Sequence, residues 1–103
     1  MFELRQTPVF KKWFLGLKDQ QAKEAIAKRL VRFEAGLLGD AKSLGGGVSE
    51  FRIQHGPGYR LNFSMLGKTI IILLCGGDKG SQARDILRAR KLKKEIDNEN
   101  HEV

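Results

Sequence analysis

Residues 56–90 read GPGYRLNFSMLGKTIIILLCGGDKGSQARDILRAR, and this stretch decides the fold. Gly56-Pro57-Gly58 has turn chemistry, because proline presets φ and glycine tolerates either sign of it. From Tyr59 to Met65 apolar and polar residues alternate with the period of a strand. The pattern places Tyr59, Leu61, Phe63 and Met65 toward a core and Arg60, Asn62 and Ser64 away from it. Gly67-Lys68 makes the next turn. Thr69 to Cys75 is apolar throughout, which predicts a strand covered on both faces. Gly76-Gly77-Asp78-Lys79-Gly80 follows, and Ser81 stands where a helix cap is expected. Ala83, Ile86, Leu87 and Ala89 give that last helix an apolar side, which Leu92 and Ile96 extend.

Upstream, Val48 to His55 predicts another strand, with Phe51 and Ile53 on one face and Glu50, Arg52 and Gln54 on the other. Gly39 to Gly47 reads as a glycine-rich loop. It lacks the spacing of a nucleotide-phosphate loop, and no helix follows it. Ala22, Ala25, Ile26, Leu30 and Phe33 have the spacing of an amphipathic helix over 20–35, capped by Asp19 and ended by Gly36. Thr7-Pro8 opens a shorter helix bearing Phe10, Trp13, Phe14 and Leu17. Phe2 and Leu4 alternate with Glu3 and Arg5 in a short first strand. The predicted order is β-α-α-β-β-β-α. This is an α+β fold with a small antiparallel-type sheet, an N-terminal helical hairpin and a C-terminal helix.

The chain has 103 residues, which suits one domain, read as 1–97 with an acidic, fraying tail at 98–103. Its net charge is +7, unevenly spread. Residues 51–94 hold ten Lys or Arg against Asp78 and Asp85, while residues 95–103 hold four acids and no Lys or Arg. Such a field attracts nucleic acid, an anionic membrane surface or an acidic protein. The single Cys75 lies in the apolar run and reads as a small buried hydrophobe. Glu3 and Arg5 interrupt any secretory leader, and no apolar run is long enough to span a membrane. A cytoplasmic protein without metal or cofactor is expected.

One constellation suggests chemistry. The apolar residues of the two middle strands must share a face, so Arg52 lies opposite Arg60 or Asn62. Either register gathers Arg52 and Arg60 on the other face. Lys79 follows the buried strand at the same end of the sheet, and Arg84 lies one turn into the last helix. These cations read either as a solvated face paired with Glu50 and Asp85 or as an anion site. The anion reading draws on Gly76-Gly77, which permits close backbone approach, and on the helix start at Ser81.

Val48-Ser49-Glu50-Phe51-Arg52, Gly56-Pro57-Gly58-Tyr59-Arg60 and Leu73-Leu74-Cys75-Gly76-Gly77-Asp78-Lys79 followed by Ser81-Gln82 resemble the RelE/ParE toxin superfamily. The resemblance is greatest to its HigB-like addiction module killer proteins. Thr7-Pro8 before an aromatic-rich helix fits that group, and the resemblance runs from residue 1 to about 96. It implies the toxin of a type II toxin–antitoxin system, a metal-independent endoribonuclease that cuts messenger RNA on the ribosome and so inhibits translation. In that family a ribose 2′-hydroxyl attacks the adjacent phosphate. Arg60 matches the arginine of the family's Gly-Tyr-Arg, Arg52 a basic position on the preceding strand, and Lys79 a basic residue after the last strand. Arg84 is carried over on a looser alignment.

Relatives often hold a Tyr or His near the last helix as acid or base, and this chain has neither between Gly76 and Glu99. His55, beside the turn, is the nearest substitute, while His101 reads as solvated. Arg88, Arg90, Lys91 and Lys94, with Lys93, form a basic stretch that would bind RNA phosphates or form a solvated helix face. The implied partners are a cognate antitoxin of helix-turn-helix type, the ribosome and messenger RNA, with operator DNA met through the antitoxin and no membrane. Two other functions stay open: a non-nucleolytic ParE-like toxin acting on DNA gyrase, and an inactive antitoxin-binding module.

Overall fold

A computed structural model describes residues 1–101, the last two by their backbone alone. The elements are β1 (Glu3–Gln6), α1 (Pro8–Leu15), α2 (Gln20–Glu34), β2 (Lys42–Gly45), β3 (Val48–Ile53), β4 (Tyr59–Leu66), β5 (Ile70–Gly77), a 3-10 turn (Lys79–Ser81) and α3 (Gln82–His101). The fold is α+β, with a five-stranded mixed sheet in the order β1-β5-β4-β3-β2. β1 runs parallel to β5, and the other neighbours are antiparallel.

Local chemistry sets the helix starts. Thr7 accepts from the Phe10 amide with Pro8 in the first turn of α1, and Asp19 accepts from the amides of Gln21 and Ala22. The last start differs from the Ser81 cap expected. Asp78 caps the 3-10 turn, and Asp78 and Ser81 bond each other's backbone reciprocally. This capping box precedes α3, which still begins at Gln82, the residue after Ser81. The tail expected to fray from 98 is helical through His101. The side chain of His101 and the rest of that tail lie outside the described residues.

The segment 39–47 also departs from the expected loop. Lys42–Gly45 pairs with Val48–Glu50 as an exposed edge strand, turning at Gly46 and Gly47, both at positive φ. The positive φ of Gly47 favours glycine there, and the Lys93 side chain lies over it.

Both faces of the sheet are covered. α1 and α2 pack over Phe51, Ile53, Tyr59, Leu61, Phe63, Ile71 and Leu73. Phe33 of α2 sits against Phe51 and Phe63, with ring centroids at 4.2 and 5.3 Å. α3 covers the second face, where Ala89, Leu92 and Ile96 meet Val48, Ile72, Leu74 and Cys75. The polar alternation of β4 therefore marks a second interior, with Asn62 and Ser64 buried in it. Three apolar assignments fail: Met65, Ala83 and Leu87 are exposed. Leu87 lies outside the stripe formed by Ala89, Leu92 and Ile96.

The two covered faces depend on a bulge. Asn62 pairs with Cys75 but Phe63 pairs with Leu73, so Leu74 is the extra residue of β5. A bulge of this kind shifts side chains between faces and frees a backbone group from the ladder. The freed carbonyl of Leu74 accepts from the Thr7 hydroxyl at 2.6 Å.

Candidate polyanion site

The register of β3 and β4 places Arg52 directly opposite Arg60, and Arg60 in turn opposite Gly77. This is one of the two registers allowed by the alternation. Directly opposed Cβ atoms stand about 5 Å apart, and like charges so placed repel. Beside this row runs a second one, Lys42, Glu50, Asn62 and Cys75. The start of α3 sits over the second row. Gln82 donates from Nε2 to Glu50 at 3.4 Å, and the Cys75 thiol donates to the Asp85 carbonyl at 3.4 Å.

Arg52, Ile53, Gln54, Gly58, Tyr59, Arg60 and Lys79 line a cleft of about 180 Å³ at the hairpin end of the sheet. Three of its seven lining residues are cations. Arg52 is half exposed and lies 3.6 Å from the Glu50 carboxylate, which is 1% exposed. The pairing of Glu50 with these cations is expected from sequence; its burial is not, because Glu50 reads as an outward strand position and α3 roofs it over. The Nε of Arg60 is buried without a hydrogen-bond partner. Arg60 and Lys79 form no ion pair among the described residues. The site therefore carries uncompensated positive charge in a partly desolvated recess, where an anionic ligand gains most.

The other expected site residues are dispersed. His55 does not line the cleft, since its Nε2 lies 3.0 Å from Asp19 at the start of α2. This contact, followed by the Ala22 amide, holds the Asp19 carboxyl below the usual aspartate range. Arg84 is exposed on the first turn of α3 and is not among the lining residues. The basic stretch of α3 splits. Arg88 turns toward α1, beside Trp13 and Leu17, while Arg90 donates to the Leu44 carbonyl of β2 at 2.8 Å. Lys91 and Lys94 are exposed.

The expected helix-start anion site is filled by the chain itself. The Ser81 amide donates to Asp78, and its hydroxyl donates to Asp85. The glycines before it serve internal packing too. A Cβ at Gly76 would strike the Trp13 ring, and one at Gly77 would strike Asp85 and Ser81. Burial pushes the Cys75 thiol up, with the Asp85 charge adding to the effect and the Asn62 contact opposing it. A raised thiol pKa leaves less of the thiolate, the nucleophilic form. Among the described residues no group of three or more His, Cys, Asp or Glu stands together as a metal site. No described helix is long and apolar enough to cross a membrane.

An α+β sheet covered on both faces, with a cationic cleft at one end, defines the class. The chain is 39% identical over 94 residues to a Haemophilus influenzae protein described as uncharacterized, covering 91% of this chain and 95% of that one. The two belong to one family. No family model matches the chain.

Proposed function

We propose that this protein is a HigB-like toxin of the RelE/ParE superfamily, the killer component of a type II toxin–antitoxin pair. Its activity on this reading is ribosome-dependent cleavage of messenger RNA. The observation that carries the reading is the cross-strand pair of Arg52 and Arg60 with Lys79 at the rim of one cleft. The motifs that resemble the family contain these same three residues.

The chemistry follows from what such a cleft does to a phosphodiester. A ribose 2′-oxygen forms a bond to phosphorus, and the bond from phosphorus to the 5′-oxygen breaks. The products are a 2′,3′-cyclic phosphate and a 5′-hydroxyl. Charge develops on the phosphoryl oxygens in between, and preorganised donors aimed there are the largest catalytic term in reactions of this kind. Arg60 and Lys79 supply them, and the unpartnered Arg60 Nε is a donor already desolvated. Glu50 acts as a positioning residue, holding the inner side of Arg52 while Gln82 holds Glu50. The proton of the 2′-hydroxyl passes to a base, and the leaving oxygen takes one from an acid. Tyr59, the one phenol on the cleft wall, belongs to the core under α1 and α2 with Phe51 and Leu61, and is not assigned that role.

A second reading, a non-nucleolytic toxin acting on gyrase, draws on the position of His55. Its imidazole is engaged with Asp19, which leaves the cleft without a histidine. Either toxin implies an antitoxin, for which a helix-turn-helix protein that reads the operator is expected.

Induced expression without antitoxin, followed by mapping of 5′ ends in cellular messenger RNA, separates the readings. Wild type should arrest growth and create new in-frame ends, and Arg60→Ala should lose both, with at least a hundredfold fewer cuts for one missing phosphate donor. Arrest with intact messages overturns the nuclease reading in favour of gyrase. Normal growth leaves a binding module.

A further inference from the structure

A larger cleft adjoins the one just described. It measures about 700 Å³ and is lined by Ala25, Lys28, Arg29 and Arg32 of α2, by Asp40 and Lys42, and by Glu50 to Gln54 except Phe51. Arg52, Ile53 and Gln54 line both clefts, so the two share a wall. Its origin lies in the short β2. Because β2 reaches only as far as Glu50, the outer edge of Phe51–Ile53 has no strand partner among the described residues. α2 overhangs that edge.

The charge of this cleft is lopsided. Five cations face two carboxylates, and Glu50 is already engaged by Gln82 and Arg52. Lys28, Arg29, Arg32 and Lys42 form no ion pair among the described residues. The Arg29 guanidinium is held by packing instead, 5.5 Å above the Phe51 ring, with its Nη2 buried beneath Gly39 and unpartnered. Like charges brought together without counterions destabilise a fold unless a ligand supplies them. The lining contains no aromatic side chain, and the Phe51 ring is covered by Arg29. Such a surface grips phosphates and offers no platform for stacking bases.

We propose that the cleft between α2 and the free edge of β3 is a second phosphate-binding site, the track of a single RNA strand running on from the Arg52–Arg60 cleft. The inference rests on the nucleic-acid reading of that first cleft. The strand contacts Arg60 and Lys79 at one end, passes Arg52, and continues along Lys42, Lys28 and Arg32. It is held through its backbone, whatever its base sequence.

Binding of oligoadenylates with 2′-O-methyl riboses, which cannot undergo the transfer, tests this on the full chain by fluorescence anisotropy. One oligomer of about four nucleotides fits the small cleft alone, and one of about twelve spans both. The triple variant Lys28→Gln, Arg32→Gln, Lys42→Gln changes exposed side chains and should fold as wild type does. It should bind the long oligomer about tenfold more weakly, with a salt slope flatter by about 2, while binding of the short one is unchanged. Arg60→Gln should weaken both. A control triple outside both cleft linings, Lys11→Gln, Lys12→Gln, Lys68→Gln, should have little effect. The single reversal Arg32→Glu repeats the test with one change. Unaltered binding of the long oligomer by the cleft triple, or an equal loss in the control triple, overturns the second site and leaves the first standing. Failure of wild type to bind either oligomer removes the nucleic-acid reading of the first cleft, and this inference with it.

Discussion

The hydroxyl of Thr7 accepts from the Phe10 amide at 3.0 Å and donates to the Leu74 carbonyl at 2.6 Å. It caps α1 and also satisfies the backbone group that the β5 bulge frees. Thr7→Ala removes both bonds at a buried position, so it should lower stability by about 2–3 kcal/mol in urea unfolding. Thr7→Ser should recover most of that loss. The cap was legible from Thr7-Pro8 because capping is local, whereas the bond to Leu74 spans 67 positions and leaves no pattern in sequence. The burial of Glu50, though not its pairing with Arg52, was illegible for the same reason. Strand alternation tells which residues share a face, and it was right for Arg52 and Arg60. It cannot tell that a helix some thirty positions later will cover that face.

At the level of elements, α2 begins at Asp19, whose carboxyl is held low by His55 first and by the Ala22 amide second. A carboxyl depressed on folding stabilises above its ordinary range and loses that contribution as pH falls through it. Asp19→Asn keeps a capping acceptor and removes the charge. The stability gap between wild type and this variant should be present at about pH 5 and close toward about pH 3 in unfolding titrations. A gap that persists at the acid end would mean the charge is not the cause. Among the strands, β3, β4 and β5 were legible because their apolar runs are bounded by turns. β2 was not, since Lys-Ser-Leu-Gly shows no buried alternation and sits among glycines. The basic residues of α3 looked like one surface in sequence. The helical turn distributes them instead, and Arg90 ties α3 to β2.

For the whole molecule, the sheet is the middle of three layers, and Cys75 lies between the sheet and α3. Its thiol, pushed up by burial, should alkylate far more slowly with iodoacetamide at about pH 8 than in the unfolded chain. The rate should climb with urea in step with loss of structure. Labelling of the native protein as fast as a free thiol would show that α3 lifts off by itself. The parallel neighbour of β1 has a consequence for biosynthesis. Glu3 pairs with Ile70 and Gln6 with Leu73, so the first strand made must wait for the last one before its ladder can close. Arg52, Arg60 and Lys79 likewise come together only when β5 is in place. A nascent chain that still lacks β5 has neither a closed sheet nor an assembled cleft. The protein cannot acquire its cationic site before β5 and Lys79 have been made.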